Sequence, residues 1–418
     1  MSTFPGSLRL TQIALWSTSV WWASEILAAD AIRPPGHRPQ PASAHALVGG
    51  RVVVKPGQEF ERGTIVLRDG RIVAVGSNVA VPADARVHDM VGTTIYAGFI
   101  DAHVNFAKSG ETRVAAMKEG PPVDAADELT SGAGTGFLGV ASVAVGGNAN
   151  SLVTPERRMA REYAPVMKSL EALRGEGFTA ANAVPDRGVI RGMSVLVSLG
   201  SGNPNEVVIR PDTFQHVSLD VPKGKDPDDD SERPPDPYPH SLMGVISAVR
   251  QTFFDAQFQA GDFAHFAAHP KDRPRPAFDA SLDALQPAVR KTMPVVFESS
   301  SMLMVDRARH LSQELTLQPI LLASGQEWRR PEFARNAGAP FIVPVDFPEV
   351  PKLPEDDDWL AVPFEQLRAW DHAPGNPALL RREGREIALT TNGLEKKARF
   401  RGNVRLALAR GLSEADAI

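Results

Sequence analysis

The sequence predicts an α/β fold, a (β/α)8 TIM-type barrel behind a small N-terminal β unit, on three observations. Beyond Phe99, short continuous apolar runs alternate with segments whose apolar residues recur at three- and four-residue spacing. That is the pattern of a parallel sheet buried on both faces by helices. The runs are numerous enough to favour closure into a barrel over an open sheet. The 418 residues, 43% of them hydrophobic, supply the large core that such a layered arrangement needs.

Taken in order, the chain opens on an address. Arg9 precedes an apolar stretch, Ile13 to Trp22, and small residues follow at Ala28, Ala29 and Ala31. This is the order of a secretory signal, assigned to 1–31, and it implies a periplasmic or secreted protein. The stretch falls short of the roughly 20 apolar residues of a membrane span; an amphipathic N-terminal helix or a mis-assigned start codon are the other readings. A Pro-rich linker is assigned to 32–45. From 46 to 98 the runs become short and β-like. One strand ends near Lys55 and two more flank Asp69-Gly70, a hairpin signal. With the runs at Val87 to Val91 and Thr94 to Ile100, they make a small antiparallel unit.

The barrel is assigned to 99–418. Gly132 to Gly147 reads as a loop-rich crossing, Val166 to Arg174 as helix, Phe178 to Val184 as strand, and Gly188 to Leu199 as a hairpin turning at Gly192. Pro222 to Pro239 is a charged, Pro-rich, solvated loop. Leu242 to Phe258 is an amphipathic helix, and helix–strand pairs follow with strands at Pro294 to Glu298, Pro319 to Ala323 and Pro340 to Val345.

Composition removes several chemistries. Without Cys there is no disulfide, thiolate nucleophile or Cys-ligated metal. With 45 basic against 50 acidic residues, no basic footprint marks a nucleic-acid partner. Neither a Gly-x-Ser-x-Gly elbow nor a phosphate-binding Gly-rich loop occurs. His265 and His269 have the i, i+4 spacing of a helical metal pair, but their polar surroundings read as the solvated, fraying end of a helix. His372 is placed in a loop.

Thr93 to Asn105 (TTIYAGFIDAHVN) resembles the xxPGFIDxHxH motif of the metal-dependent amidohydrolase superfamily. Gly177 to Gly200, Ser241 to Phe258, the Phe297-Glu298 strand end and Ile387 to Leu394 are similar to its imidazolonepropionase-like branch, so the resemblance runs from 46 to 418. It implies a barrel with one or two divalent metals, zinc first among them, at the C-terminal strand ends. It also implies hydrolysis of carbon–nitrogen bonds other than peptide bonds in a small-molecule substrate. Amide hydrolysis at neutral pH needs a nucleophile better than water, and a bound metal lowers the water pKa toward about 7.

By the same resemblance, His103 and Asn105 stand at the His-x-His metal pair; two apart on a strand, they share a face, and an Asn amide is a poor zinc ligand. Glu298 stands at the fourth strand end, open to three roles: metal ligand, general base without a metal, or partner of a cation. Where the fifth and sixth strands normally end in His, this chain has Ala323 to Gln326 and Pro344 to Asp346, which makes Asp346 a third carboxylate. Asn392 stands where the eighth strand supplies Asp. Asp101 is assigned a structural role on the opposite face of its strand. Two functions stay open: a hydrolase with Glu298 as base and His103 as ligand or electrophile, and a catalytically inactive barrel serving as partner subunit or ligand-binding scaffold. The resemblance further implies strands beyond Ile418, so the β unit is expected to have unpaired edges, either covered by a partner chain in a homo- or hetero-oligomer or left by a truncated or split reading frame.

Overall fold

Asp69 and Gly70 both take positive φ, 50° and 74°, the conformation a two-residue hairpin demands. They join β2 (Gln58–Arg68) to β3 (Arg71–Gly76), after β1 (Ala44–Lys55) and before β4 (Arg86–Asp89) and β5 (Thr94–Tyr96). The computed structural model describes residues 43–106, 147–221, 238–350 and 356–418. The proposed signal, the linker up to residue 42, most of the Gly-rich crossing and most of the charged loop lie outside the described residues. β1 begins at Ala44, two residues before the expected start of the β unit.

The described chain forms two compact units, one from residues 43–53 and 59–95, the other from 54–58 and 96 onward. In the first, the sheet order is β3-β2-β1-β4, with β5 also on β1. β4 runs parallel to β1, with His45 opposite Arg86 and Val48 opposite Asp89. The unit is therefore mixed, where an antiparallel one was expected. Residues 77–85 carry the chain past β2 to the far side of β1, which a tight turn cannot do.

The second unit contains β6 (Phe99–Val104), β7 (Phe178–Ala183), β8 (Ile190–Met193), β9 (Val195–Ser198), β10 (Val208–Arg210), β11 (Gln215–Ser218), β12 (Val295–Glu298), β13 (Pro319–Leu322), β14 (Phe341–Pro344) and β15 (Ile387–Thr390). Two sheets result, β10-β9-β7-β6 and β15-β14-β13-β12-β11-β8, where a single closed ring was expected. β6 and β7 are parallel, as are β11 through β15, but β8, β9 and β10 pair antiparallel with their neighbours.

The expected hairpin at Gly188 to Leu199 is instead a bent segment shared between the sheets. β8 pairs with β11 and β9 with β7, while Ser194 between them exchanges backbone bonds with Phe214 (2.9 Å) and Thr213 (2.8 Å). Gly192 makes the bend sterically feasible. Its φ is +104°, and a Cβ there would sit 2.3 Å from the Arg157 carbonyl oxygen, the oxygen that accepts the Met193 N–H at 2.7 Å. Gly192→Ala is expected to cost about 1–3 kcal/mol through strain at this φ, read as a lower urea midpoint.

At the other edges, β6 and β15 are tied by side chains. Asp101, fully buried, accepts from Thr391 N (3.0 Å) and Thr391 Oγ1 (2.7 Å), and Thr390 Oγ1 lies 2.5 Å from its Oδ1. The structural role expected of Asp101 holds. Its face does not: residues two apart share a side of a strand, and Asp101 and His103 are both buried.

The helix Leu242–Ala268 extends ten residues past its expected end. Ser241 caps it through Oγ, which accepts from Gly244 N at 3.2 Å. Val245, Val249, Phe253 and Ala256 are fully buried and share one core with Val295, Phe297 and Phe341 of the six-stranded sheet. His265 and His269 are exposed, as expected. His372 ends the helix Phe364–His372 and stacks on Trp328 at 4.9 Å, so it is not a loop residue. Among the described residues, no helix is long and apolar enough to cross a membrane.

Candidate metal centre

Three strands that are far apart in sequence deliver one cluster. β11 and β12 lie parallel with Ser218 opposite Glu298 and His216 opposite Val296. Alternation therefore places His216 and Ser218 on the side of β11 that matches Glu298 on β12. His103 comes from β6. The residues His103, His216 and Glu298 are 3%, 0% and 7% exposed, and one ligand atom from each lies within 4.8 Å of the others. His216 Nδ1 is 3.2 Å from Glu298 Oε1, and His103 Nε2 is 3.4 Å from the same oxygen. That second contact is close but not aligned as a hydrogen bond: both His103 ring nitrogens and His216 Nε2 are buried without a hydrogen-bond partner among the described residues.

Arg191, on β8, pairs with the remaining oxygen, Glu298 Oε2, through Nη1. Burial works against the Glu298 charge, but His103, His216 and Arg191 outweigh it and hold the carboxyl well below the usual range. Burial also pushes the His216 imidazolium down, against the pull of Glu298, so its ring is neutral near pH 7.

The residues fit a divalent metal on two counts. Two imidazoles and one carboxylate are the donor set of many catalytic zinc sites, which leave a fourth position open. A buried ring nitrogen without a partner costs about 1–3 kcal/mol, and a cation would engage such lone pairs.

Of the residues singled out in the sequence, the cluster contains His103 and Glu298. Asn105 is half-buried just past β6. Asp346 is exposed two residues beyond β14, and Asn392 sits half-buried in the turn after β15, where its N–H donates to Thr390 Oγ1 at 3.1 Å. Asp346 is not part of the His103–His216–Glu298 group. His216 and Arg191 were missed. The signal for His216 is a lone His in the short alternating run Phe214 to Leu219, with Val217 and Leu219 on the opposite side.

A cavity of 1290 Å³ opens where β6 and β7 end, lined by Phe106, Met159, Tyr163, Leu170, Val184 and Asp186 among others. Its lining includes none of His103, His216 and Glu298. Tyr163 is 6% exposed, and its hydroxyl finds no hydrogen-bond partner among the described residues. Burial pushes this phenol up to about 12. Tyr163→Phe deletes the unsatisfied hydroxyl and is expected to raise stability by about 1 kcal/mol. The sign at high pH follows from linkage: the unfolded chain ionises first above about 10, so stability falls as pH rises further. The Phe variant should lack that component, and phenolate absorbance should lose its latest step.

No family model matches the chain. A dihydroorotase from Anaeromyxobacter dehalogenans (strain 2CP-C) is 38% identical over 63 residues, 15% of this chain and 14% of that relative. The chain thus spans far less than two thirds of this relative's length. The crystal structure of an amidohydrolase from Thermotoga maritima MSB8 aligns with a TM-score of 0.62 at 16% identity, covering 89% of this chain and 85% of its own. A Xaa-Pro dipeptidase structure aligns over 90% of this chain and 86% of its own, at 12% identity and a TM-score of 0.43. The described chain thus shares its fold with the Thermotoga maritima amidohydrolase.

Proposed function

We propose that this protein is a metal-dependent hydrolase of carbon–nitrogen bonds other than peptide bonds, with His103, His216 and Glu298 as its metal ligands. The observation that carries the reading is the convergence of three buried donor groups, with imidazole nitrogens that have no hydrogen-bond partner among the described residues. A divalent ion held there supplies a bound water acidic enough to ionise near neutral pH. His216 is kept neutral and Glu298 ionised, so both offer lone pairs under the same conditions. The stabilised charge makes Glu298 a poor proton acceptor. In this reading it holds and orients, where the sequence also left it open as a general base. The cavity past the ends of β6 and β7, with apolar walls at Phe106, Met159, Leu170 and Val184, suits a small molecule with an apolar body.

The test is zinc loading of the purified, metal-stripped protein, followed by turnover of hydantoin-like, lactam and acyl-amino-acid substrates. Stoichiometric zinc with turnover that chelation removes is expected. A protein that takes up no metal sinks the reading. The second reading, an inactive scaffold, is favoured by Asn105 and Asn392, amides where the resemblance implies His and Asp. Bound zinc with no turnover across the panel supports it. Export from the cytoplasm belongs to the same proposal, on the Arg9 to Ala31 pattern, and N-terminal sequencing of the mature protein checks it.

A further inference from the structure

Glu298 divides its two oxygens between different partners. Oε1 faces His216 Nδ1 at 3.2 Å and His103 Nε2 at 3.4 Å, while Oε2 is taken by the Arg191 guanidinium. In two-metal centres a pair of cations clamps the reacting groups, and a shared carboxylate can give one oxygen to each. Here the cation on the second oxygen is part of the chain. We propose that the centre is built for a single divalent ion, with Arg191 as its positioning residue, supplying the second positive charge on Glu298 and fixing Oε1 toward the two imidazoles. This rests on the metal-binding reading above.

Arg191 is set up for that task by its own anchoring. Its Nε donates to the Gly188 carbonyl at 3.1 Å, so the guanidinium is held from both ends. Gly188 itself is confined: its φ is +98°, and a Cβ there would meet the Leu152 carbonyl oxygen at 2.8 Å. The following residue, Gly192, lies under the Arg157 carbonyl and pairs with His216 across β8 and β11. The strand that presents Arg191 is therefore registered directly on the strand that presents His216. With its side chain 17% exposed, Arg191 exchanges little of this geometry for water. Among the described residues, His103, His216 and Glu298 are the one group of three or more His, Cys, Asp or Glu whose ligand atoms lie close enough to hold an ion.

Metal-stripped full-length protein is titrated with zinc chloride by calorimetry, and elemental analysis after desalting gives the ion count. One ion per chain is expected. Arg191→Met should weaken zinc binding about 10–100-fold, the usual cost of losing a partner that orients a ligand. Arg191→Lys, which keeps the charge but not the planar fork, should fall between. Two ions in the wild-type protein overturn the proposal and leave the metal reading standing; no ion overturns both. Equal or tighter binding by Arg191→Met also overturns it. Circular dichroism without zinc establishes that each variant folds. If Arg191→Met does not, Arg191→Lys carries the comparison, and an unchanged Kd there counts against the proposal.

Discussion

Glu298→Ala is expected to destabilise the fold by about 3–5 kcal/mol, the cost of removing one partner from a buried ion pair. The penalty comes less from the lost attraction than from what remains. Arg191 keeps only the Gly188 carbonyl on its Nε, with its side chain 17% exposed, and His216 loses the acceptor at its Nδ1 in a fully buried position. Glu298→Gln keeps an acceptor oxygen for the guanidinium and should cost roughly half as much, since hydrogen bonds to charged groups are worth about 1.5–3 kcal/mol. Urea denaturation without metal reads both. A double-mutant cycle with Arg191→Met isolates the pair, and a coupling energy near zero would show that the carboxylate and guanidinium do not act together.

The same cluster sets a pH dependence whose sign can be worked out. Glu298 is depressed in the folded state, so its stabilisation is complete above the unfolded value of about 4.3 and is lost as pH falls toward the folded value. His216 is also depressed. The unfolded chain therefore binds a proton below about 6.5 that the folded chain refuses, and stability falls as pH drops through that region. Both groups act in one direction. The urea midpoint of the metal-free protein should decline from pH 7 downward, with the upper part of the slope belonging to His216 and the lower part to Glu298.

What the sequence revealed and what it hid divide along physical lines. His103 was legible because its motif is local, a glycine turn and a strand read within thirteen residues. Glu298 was legible because a continuous apolar run ends on it. His216 was not, although it is the most buried of the three: its partners lie 82 residues away at Glu298 and further back on β6, and only strand register brings them together. Arg191 sits 107 residues from Glu298 on a segment whose two halves pair with different sheets. A hairpin and a bent strand share the same apolar pattern around a glycine, so periodicity could not separate them. For the same reason, parallel alternation pointed to a closed ring, while the antiparallel β8, β9 and β10 that interrupt it leave no distinct mark in short apolar runs. Asp346 and Asn392 were placed at strand ends correctly, but a strand end fixes a residue's height on the sheet and not the partners it meets.

Asp101→Ala is the second substitution expected to cost about 3–5 kcal/mol, here by opening the junction between the edge strands of the two sheets. Asp101 is fully buried and takes the Thr391 amide on Oδ2 at 3.0 Å, the Thr391 hydroxyl at 2.7 Å, the Thr390 hydroxyl on Oδ1 at 2.5 Å and the His103 amide at 3.1 Å. The Thr390 hydroxyl can turn to the His103 carbonyl, already 2.9 Å away. The Thr391 amide and hydroxyl have no such recourse among the described residues, and each buried donor left unmade costs about 1–3 kcal/mol. Lys397 adds to the loss. Its Nζ donates to the Thr391 and Leu394 carbonyls at 2.9 and 3.1 Å; burial pushes its ammonium down, and the Asp101 charge is among those that hold it up. Asp101→Asn preserves the volume but sets an amide NH2 against a cluster of donors, so only part of the stability should return. Hydrogen exchange locates the damage: the Thr391 amide should lose protection before the amides of β12 and β13, which sit inside the parallel sheet. Uniform loss across all strands would instead mean that Asp101 supports the whole unit and not this seam. Because the seam begins two residues before His103, its opening should also weaken zinc binding in Asp101→Ala without any ligand having been removed.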